Sequence, residues 1–208
     1  MKNNILKDFT DIDLLNELLN RQNDKPPRLP LYYEFTPYEI MAKMIQQGWK
    51  ENPKKGESDP RIDRIWDYLG YPEFTDDQSW CAATVNVCLK LAGYRTSDSI
   101  PVARSFETYG ERTDDAKKGD IVVFKRTGSS WKGHVGFVRE IKDRLITVAG
   151  GNQNNEVCFK TYDIKSLTLP FSATRRITKY CKISDPDFKT LKDWGLFQPL
   201  IQTHATNK

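Results

Sequence analysis

Hydrophobic residues follow a helical period in the first half of the chain. Apolar side chains recur three and four positions apart in residues 37–48, 60–68 and 81–93. Pro37 suits the first turn of a helix, where a missing N–H costs nothing, and Gly93 suits a helix end. The pattern therefore predicts three helices.

The pattern changes after residue 119 to short runs rich in β-branched and aromatic residues. Polar or glycine-containing loops separate these runs, as is typical of strands joined by hairpins. The five predicted strands are 120–124, 134–141, 144–150, 156–162 and 171–177. Because the helices come first and the strands follow, we expect an α+β fold with helices packed on a mainly antiparallel sheet, not alternating βαβ units.

The two ends of the chain differ from this central part. Residues 1–24 have helical spacing and are followed by a proline-rich stretch, whereas the last thirty or so residues are polar with a few apolar residues near the end. We therefore expect an N-terminal helical extension and linker over 1–35, one domain over 36–177 and a C-terminal extension over 178–208.

Composition indicates a folded globular protein, whereas net charge alone does not select a class of function. The chain has 38% hydrophobic and 29% charged residues, which is typical of a folded globular protein, and its net charge of +4 is dispersed among acidic residues. We expect no nucleic-acid partner. Because no apolar run resembles a signal peptide or a membrane span, we expect synthesis in the cytoplasm. Four cysteines without a C-x-x-C pair favour reduced thiols, with no metal and no cofactor.

Cys81 is the candidate nucleophile because it lies at the predicted start of a helix. Unpaired N–H groups and the helix dipole stabilise a thiolate at that position, and Ser79 is a suitable N-cap. Cys88 lies seven residues further along the same helix and is better explained by packing. Taken alone, a cysteine on a helix is more often a core residue than a nucleophile.

His134 is the candidate base because it begins a predicted strand of the core. The next strand runs back along it and ends in "GGNQ", which brings Asn152 to the same end of the sheet. Asn152 is therefore the predicted partner of the second ring nitrogen, although asparagine after two glycines also suits a simple turn.

The motifs around these residues resemble those of a known family. "SWCAATVNVCLKLAGY", "KKGDIVVFKRTGSSWKGHVGFV" and "VAGGNQNNEV" are similar in order and spacing to three motif blocks of papain-like cell-wall hydrolases of bacteria and phages, of the CHAP and NlpC type. The similarity covers roughly residues 38–177. It implies a papain-like fold and hydrolysis of a peptidoglycan amide through an acyl-enzyme.

The resemblance also implies which residues carry the chemistry. The nucleophile corresponds to Cys81, the general base to His134 and the third polar residue to Asn152. CHAP relatives have a glutamate two positions before this asparagine, where this chain has Gly150, so we expect a Cys-His-Asn triad.

Five further residues are candidates for the oxyanion hole or the substrate cleft: Gln78, Trp80, Arg104, Ser105 and Trp131. By analogy with papain-like enzymes, the amide of Gln78 is a second oxyanion donor beside the backbone N–H of Cys81. An aromatic ring can cover a sugar or a peptide stem, and an arginine can pair with a stem carboxylate. A structural role is an alternative for each of them.

The leading hypothesis is a monomeric peptidoglycan amidase or endopeptidase. Without a signal peptide, it would reach the wall through phage lysis, a phage tail or contact-dependent secretion of an antibacterial effector. An effector would also require an immunity protein. Two alternatives stay open: a catalytically silent wall-binding module, and a papain-like hydrolase that acts on an amide outside the wall.

Overall fold

The computed structural model describes residues 35–54 and 56–197. Three helices precede the sheet: α1 (Pro37–Gln46), α2 (Pro60–Leu69) and α3 (Cys81–Leu91). The strands are β1 (Glu111–Arg112), β2 (Ile121–Lys125), β3 (Gly133–Lys142), β4 (Leu145–Gly150), β5 (Cys158–Asp163) and β6 (Phe171–Arg176). Short 3-10 helices span Ala103–Thr108 and Lys179–Cys181, and α4 spans Phe188–Asp193. The helix expected within residues 1–24 lies outside the described residues.

The α+β prediction is confirmed. The six strands form one sheet in the order β1-β6-β2-β3-β4-β5, and every neighbouring pair is antiparallel. β2 and β3 are central, so the predicted strand that begins with His134 does lie inside the sheet.

Local sequence explains where the first two helices begin. At α1, the hydroxyl of Thr36 accepts from the backbone N–H of Glu39, and the carboxylate of Glu39 accepts from the backbone N–H of Thr36. At α2, a carboxylate oxygen of Asp59 accepts from the N–H of Arg61 at 2.8 Å. A proline follows each cap as the first helical residue.

The sheet buries apolar side chains on both faces. Ile121, Val123 and Val135 face the helices and belong to the main core, together with the buried stripe of α3. Val122 and Phe124 alternate with them and belong to a smaller cluster on the opposite face. The strands around the site are therefore fixed from both sides.

The described part of the predicted C-terminal extension packs on the main core. Leu191, Leu196 and Phe197 are buried there. The N–H of Ile183 donates to the carbonyl of Gly93 at 2.8 Å, just after the end of α3. The helix of Cys81 is thus held at its far end by this segment.

Candidate active site

Cys81 is the first residue of α3. The N-cap is Trp80, which offers no side-chain hydrogen bond, so the prediction of Ser79 as the cap was wrong. Trp80 is fully buried, and its indole N–H donates to the carboxylate of Glu51 at 2.8 Å. Burial and this hydrogen bond hold Trp80, the residue before the cysteine, in place. Cys81 itself is 6% exposed.

The thiol of Cys81 has two opposing influences on its pKa. Burial is the larger one and raises the pKa above its ordinary value. The backbone N–H groups of Val135, Ala82 and Cys81, and the charge of Arg126, act in the opposite direction. The resting thiol is therefore protonated at neutral pH, while the groups that would stabilise a thiolate already surround the sulfur.

His134 is buried near the start of β3. It pairs across the strands with Phe124 and shares its face of the sheet. The imidazole packs against the ring of Tyr162, with centroids 5.4 Å apart, and lies 6.5 Å from that of Phe124. Its Nε2 lies 3.1 Å from Oε1 of Gln153.

Gln153 determines which nitrogen of His134 carries the proton. Its Nε2 donates to the carbonyls of Val148 at 3.3 Å, Gly150 at 3.2 Å and Cys158 at 2.6 Å. Its Oε1 can therefore only accept, so Nε2 of His134 is the N–H that donates to it. The neutral ring then has its lone pair on Nδ1, which is the form a general base needs.

Burial also keeps the imidazole neutral. It lowers the pKa of His134 to about 4, against a raising influence from the Gln153 hydrogen bond and further lowering by the charges of Lys160 and Arg126. Because the thiol of Cys81 is protonated at the same pH, the resting pair is neutral. The sequence left open whether the pair rests as ions, and these pKa directions favour the neutral form.

The residue that contacts the imidazole is the neighbour of the one we expected. Gln153, not Asn152, forms the hydrogen bond to His134. Asn152 adopts φ 54°, and this left-handed turn directs the chain so that the next side chain points at the ring. No signal in the sequence distinguishes Asn152 from Gln153, because the choice depends on this backbone turn.

The turn is packed directly on the helix of the cysteine. A Cβ on Gly151 would lie 2.1 Å from Oγ1 of Thr84 and 2.6 Å from the Trp80 ring, so only glycine allows this approach. The hydroxyl of Thr84 in turn donates a hydrogen bond to the carbonyl of Trp80 at 2.8 Å. Gln153 and Cys81 are therefore positioned by the same contact.

Cys81 lies beside the strand that carries His134. The backbone N–H of Val135, the residue after His134, interacts with the sulfur of Cys81 and lowers the pKa of this thiol. Within the described residues, no hydrogen bond joins this sulfur to the imidazole. A transfer of the thiol proton to this ring would require a closer approach, and such contacts commonly tighten only in the substrate complex.

Two of the predicted cleft residues have structural partners. Arg104 binds the carboxylate of Glu107 at 3.1 Å and donates to the carbonyl of Ser130. The hydroxyl of Ser105 lies 2.8 Å from that of Ser97 and 2.7 Å from the carbonyl of Val102. These contacts hold the loops behind the groove and leave Arg104 without a free charge for a ligand.

The other three candidates, Gln78, Trp80 and Trp131, differ in their exposure to solvent. Oε1 of Gln78 accepts from the backbone N–H of Thr75 at 2.6 Å, and the Gln78 side chain is exposed. Trp80 is buried behind the cysteine, whereas Trp131 is 58% exposed. Their roles in substrate binding stay predictions.

Cys81 opens into a small groove of about 90 Å³. Trp131 lines it, as do the apolar residues 101–103 and two cations, Arg126 and Lys132. Arg126 is a residue of this groove that was not among the candidates predicted from the sequence. The signal available was its position in "FKRTGSSWKGH", a basic turn that leads directly to His134.

The described residues contain no group of three metal-binding side chains of the His, Cys, Asp or Glu type. Among the helices in this part of the chain, none has the length and apolar character needed to cross a membrane.

Comparison with known proteins identifies one segment. Residues 73–152 match the family model of the CHAP domain. Among solved structures, NlpC1 from Trichomonas vaginalis matches with 18% identity and a TM-score of 0.38, over 70% of this chain and 48% of that one. The chain thus spans about half the length of that protein. No curated protein matches the sequence.

Proposed function

Because residues 73–152 match the family model of the CHAP domain, we propose that the chain hydrolyses an amide or peptide bond of peptidoglycan through Cys81. The match agrees with the family that the motifs resembled. One arrangement carries the proposal: a cysteine begins a helix at an open groove, beside a strand whose histidine has its tautomer fixed by Gln153.

The proposed mechanism starts from the neutral pair. Nδ1 of His134 takes the thiol proton as the sulfur of Cys81 attacks the carbonyl carbon of the substrate. The backbone N–H groups at the start of α3 stabilise the oxyanion that forms. His134 then gives the proton to the leaving amine, which departs and leaves a thioester. Water, deprotonated by His134, hydrolyses this acyl-enzyme.

Gln153 takes the orienting role that we first assigned to Asn152. Its Oε1 accepts from Nε2–H and so leaves Nδ1 unprotonated at the start of each cycle, ready to take the thiol proton. The hydroxyl of Tyr162 donates to the same oxygen at 2.8 Å, which fixes the amide further. The hydrogen bonds of Gln153 support this assignment.

The test compares two cysteines of the same helix. Purified sacculi are incubated with wild type, Cys81→Ala and Cys88→Ala under reducing conditions, and soluble fragments are measured over time. We expect Cys81→Ala to lose activity by roughly three orders of magnitude or more. Cys88 is fully buried in the core and away from the groove, so Cys88→Ala keeps most of the activity. Equal release by wild type and Cys81→Ala would reject the proposal.

The same assay separates the alternatives. A silent wall-binding module would bind sacculi and release nothing, and a hydrolase of other amides would cleave unrelated peptides but not sacculi. The phage or antibacterial-effector role, the delivery route, the immunity protein and the monomeric state stay predictions from the sequence.

A further inference from the structure

A hairpin brings two basic side chains to the groove of Cys81. Residues 126–132 connect β2 to β3, and the N–H of Arg126 donates to the carbonyl of Lys132 at 3.0 Å. Both residues line the groove. One turn therefore places two cationic residues around the groove that contains Cys81.

This hairpin loop is held in place on both sides. Within the loop, the hydroxyl of Ser129 accepts from the N–H of Lys132 at 2.9 Å. From the 3-10 helix, the guanidinium of Arg104 donates to the carbonyl of Ser130. Thr127 donates from its N–H and its hydroxyl to carbonyls of the connection before β6. Because the loop is already ordered, ligand binding does not lose free energy to ordering it.

In the described part of the chain, Arg126 is the cation at this groove whose charge has no partner. Arg104 and Lys125 share the carboxylate of Glu107, at 3.1 Å and 3.8 Å. The ammonium of Lys132 lies over the Trp131 ring, 5.2 Å from its centroid. Arg126 is exposed, and within the described residues its guanidinium has no ion pair and no hydrogen bond.

The charge of Arg126 also reaches the reacting groups. It lowers the pKa of Cys81 and that of His134, in each case as a smaller influence than burial. Arg126 and Cys81 line the same small groove, so an anion bound to Arg126 would lie close to the bond that is cut.

We propose that Arg126 is a subsite for a carboxylate beside the scissile amide, so that the preferred substrate is a peptide with a free carboxylate next to the cleaved bond. The planar guanidinium matches a carboxylate through two parallel hydrogen bonds, whereas a neutral carboxamide lacks the charge. The apolar residues 101–103 line the same groove and suit a short aliphatic side chain. This subsite rests on the proposed hydrolase function and specifies its substrate.

The test varies both partners of the contact. Sacculi are stripped of phosphate polymers, and half of them are treated with carbodiimide and ammonia, which converts carboxylates to carboxamides. Initial rates of fragment release are measured for wild type, Arg126→Gln, Arg126→Lys and the control Lys142→Gln. Lys142 is exposed at the opposite end of β3, so its variant makes the same change in net charge away from the groove.

We expect amidation to slow wild type about tenfold, the effect of one exposed charged hydrogen-bonded pair. On native sacculi, the initial rate of Arg126→Gln should be about tenfold below that of wild type. Amidation of the sacculi should not lower the rate of this variant further. Arg126→Lys recovers part of the rate, and Lys142→Gln behaves as wild type. If Arg126→Gln is as sensitive to amidation as wild type, the subsite is wrong.

Binding separates this result from a failure of the hydrolase proposal. The same sacculi are bound by Cys81→Ala and by the double variant with Arg126→Gln. If wild type releases nothing but binding still depends on Arg126 and on free carboxylates, the hydrolase proposal fails and the carboxylate site stands. If binding is independent of Arg126, the carboxylate site is overturned.

Discussion

A single hydrogen bond determines which nitrogen of His134 is available as a base. Gln153 can act in this way because three backbone carbonyls occupy its amide nitrogen and leave only its oxygen for the ring. An asparagine side chain at the same position would be one methylene shorter. The side-chain length and the backbone turn together place the acceptor.

Replacing Gln153 tests this role against Asn152. We expect Gln153→Ala to lower kcat about a hundredfold with little change in KM, because the ring loses the tautomer and orientation that catalysis needs. Asn152→Gly removes the neighbouring side chain but keeps the left-handed φ of 54°, and should retain near wild-type kcat.

Steady-state kinetics on a soluble wall fragment, with thermal unfolding to show that both variants fold, makes the comparison. Loss of activity in Asn152→Gly with an active Gln153→Ala would restore the assignment that the family resemblance implied.

At the scale of single residues, the sequence indicates the candidate nucleophile and base better than their partners. Cys81 and His134 follow from residue type and position in a helix and a strand. The choice between Gln153 and Asn152 depends on the direction of a turn. Arg104 and Arg126 are both arginines near the motif, and only the position of Glu107 shows that one is paired and the other free.

Residues 49–51 connect the elements that carry the proposed catalytic groups. The N–H of Glu51 donates to the carbonyl of Asn155 at 2.8 Å, and that of Val157 to the carbonyl of Trp49 at 2.8 Å, so the segment pairs with the loop of Gln153. The Glu51 carboxylate accepts from the indole of Trp80 at the start of α3. Glu51 is thus a positioning residue for both halves of the site.

Three variants separate the role of Glu51 from general stability. We expect Glu51→Ala to lower the free energy of unfolding by about 1 kcal/mol, because the buried indole N–H loses its acceptor. Its kcat should fall about fivefold as the start of α3 loosens. Glu51→Gln keeps an acceptor oxygen and should recover both properties.

Glu57→Ala is the matched control, because Glu57 is an exposed residue of the same region that pairs with Lys54. Urea unfolding gives the free energy of unfolding of each variant, and steady-state kinetics gives its kcat. If Glu51→Ala and Glu57→Ala are indistinguishable, this segment has no positioning role.

Elements were predictable where their pattern is strong. The three helices and the five longer strands follow from apolar periodicity and begin or end within a few residues of the predicted bounds. β1 has only two exposed residues, and α4 has six residues with a single buried side chain, Leu191, so neither carries a period that the sequence can display.

Burial of His134 links the protonation of one residue to the stability of the whole fold. Its pKa is about 4 in the folded protein and near 6.5 when unfolded. The unfolded chain therefore binds the proton first as the pH falls, and this contribution to the free energy of unfolding decreases between about pH 6.5 and 4. The 2.5-unit difference corresponds to at most about 3 kcal/mol.

Urea unfolding of wild type and His134→Gln at several pH values tests this coupling. The loss of stability between pH 7 and pH 4.5 should be smaller in the variant, which has no group at this position to protonate. The carboxylates contribute equally to both proteins and cancel in the difference. An identical decrease in the two proteins would mean that His134 already titrates normally in the fold.

For the whole molecule, the order of helices and strands was sufficient for the α+β class, but not for the order of strands in the sheet. β6 lies between β1 and β2, and its residues pair with partners about fifty to sixty positions earlier in the chain. Such pairings depend on tertiary packing and leave no local pattern. The same holds for the C-terminal segment, whose apolar residues are too few to show where they pack.

Digestion of sacculi in ¹⁸O-labelled water, followed by mass spectrometry of the fragments, tests the proposed reaction itself. Hydrolysis of a thioester on Cys81 predicts fragments with one new amine and one new carboxylate that contains a single ¹⁸O atom, produced by wild type and Cys88→Ala but not by Cys81→Ala. New reducing sugar ends without a new amine, or the same labelled fragments from Cys81→Ala, would contradict amide hydrolysis through this cysteine.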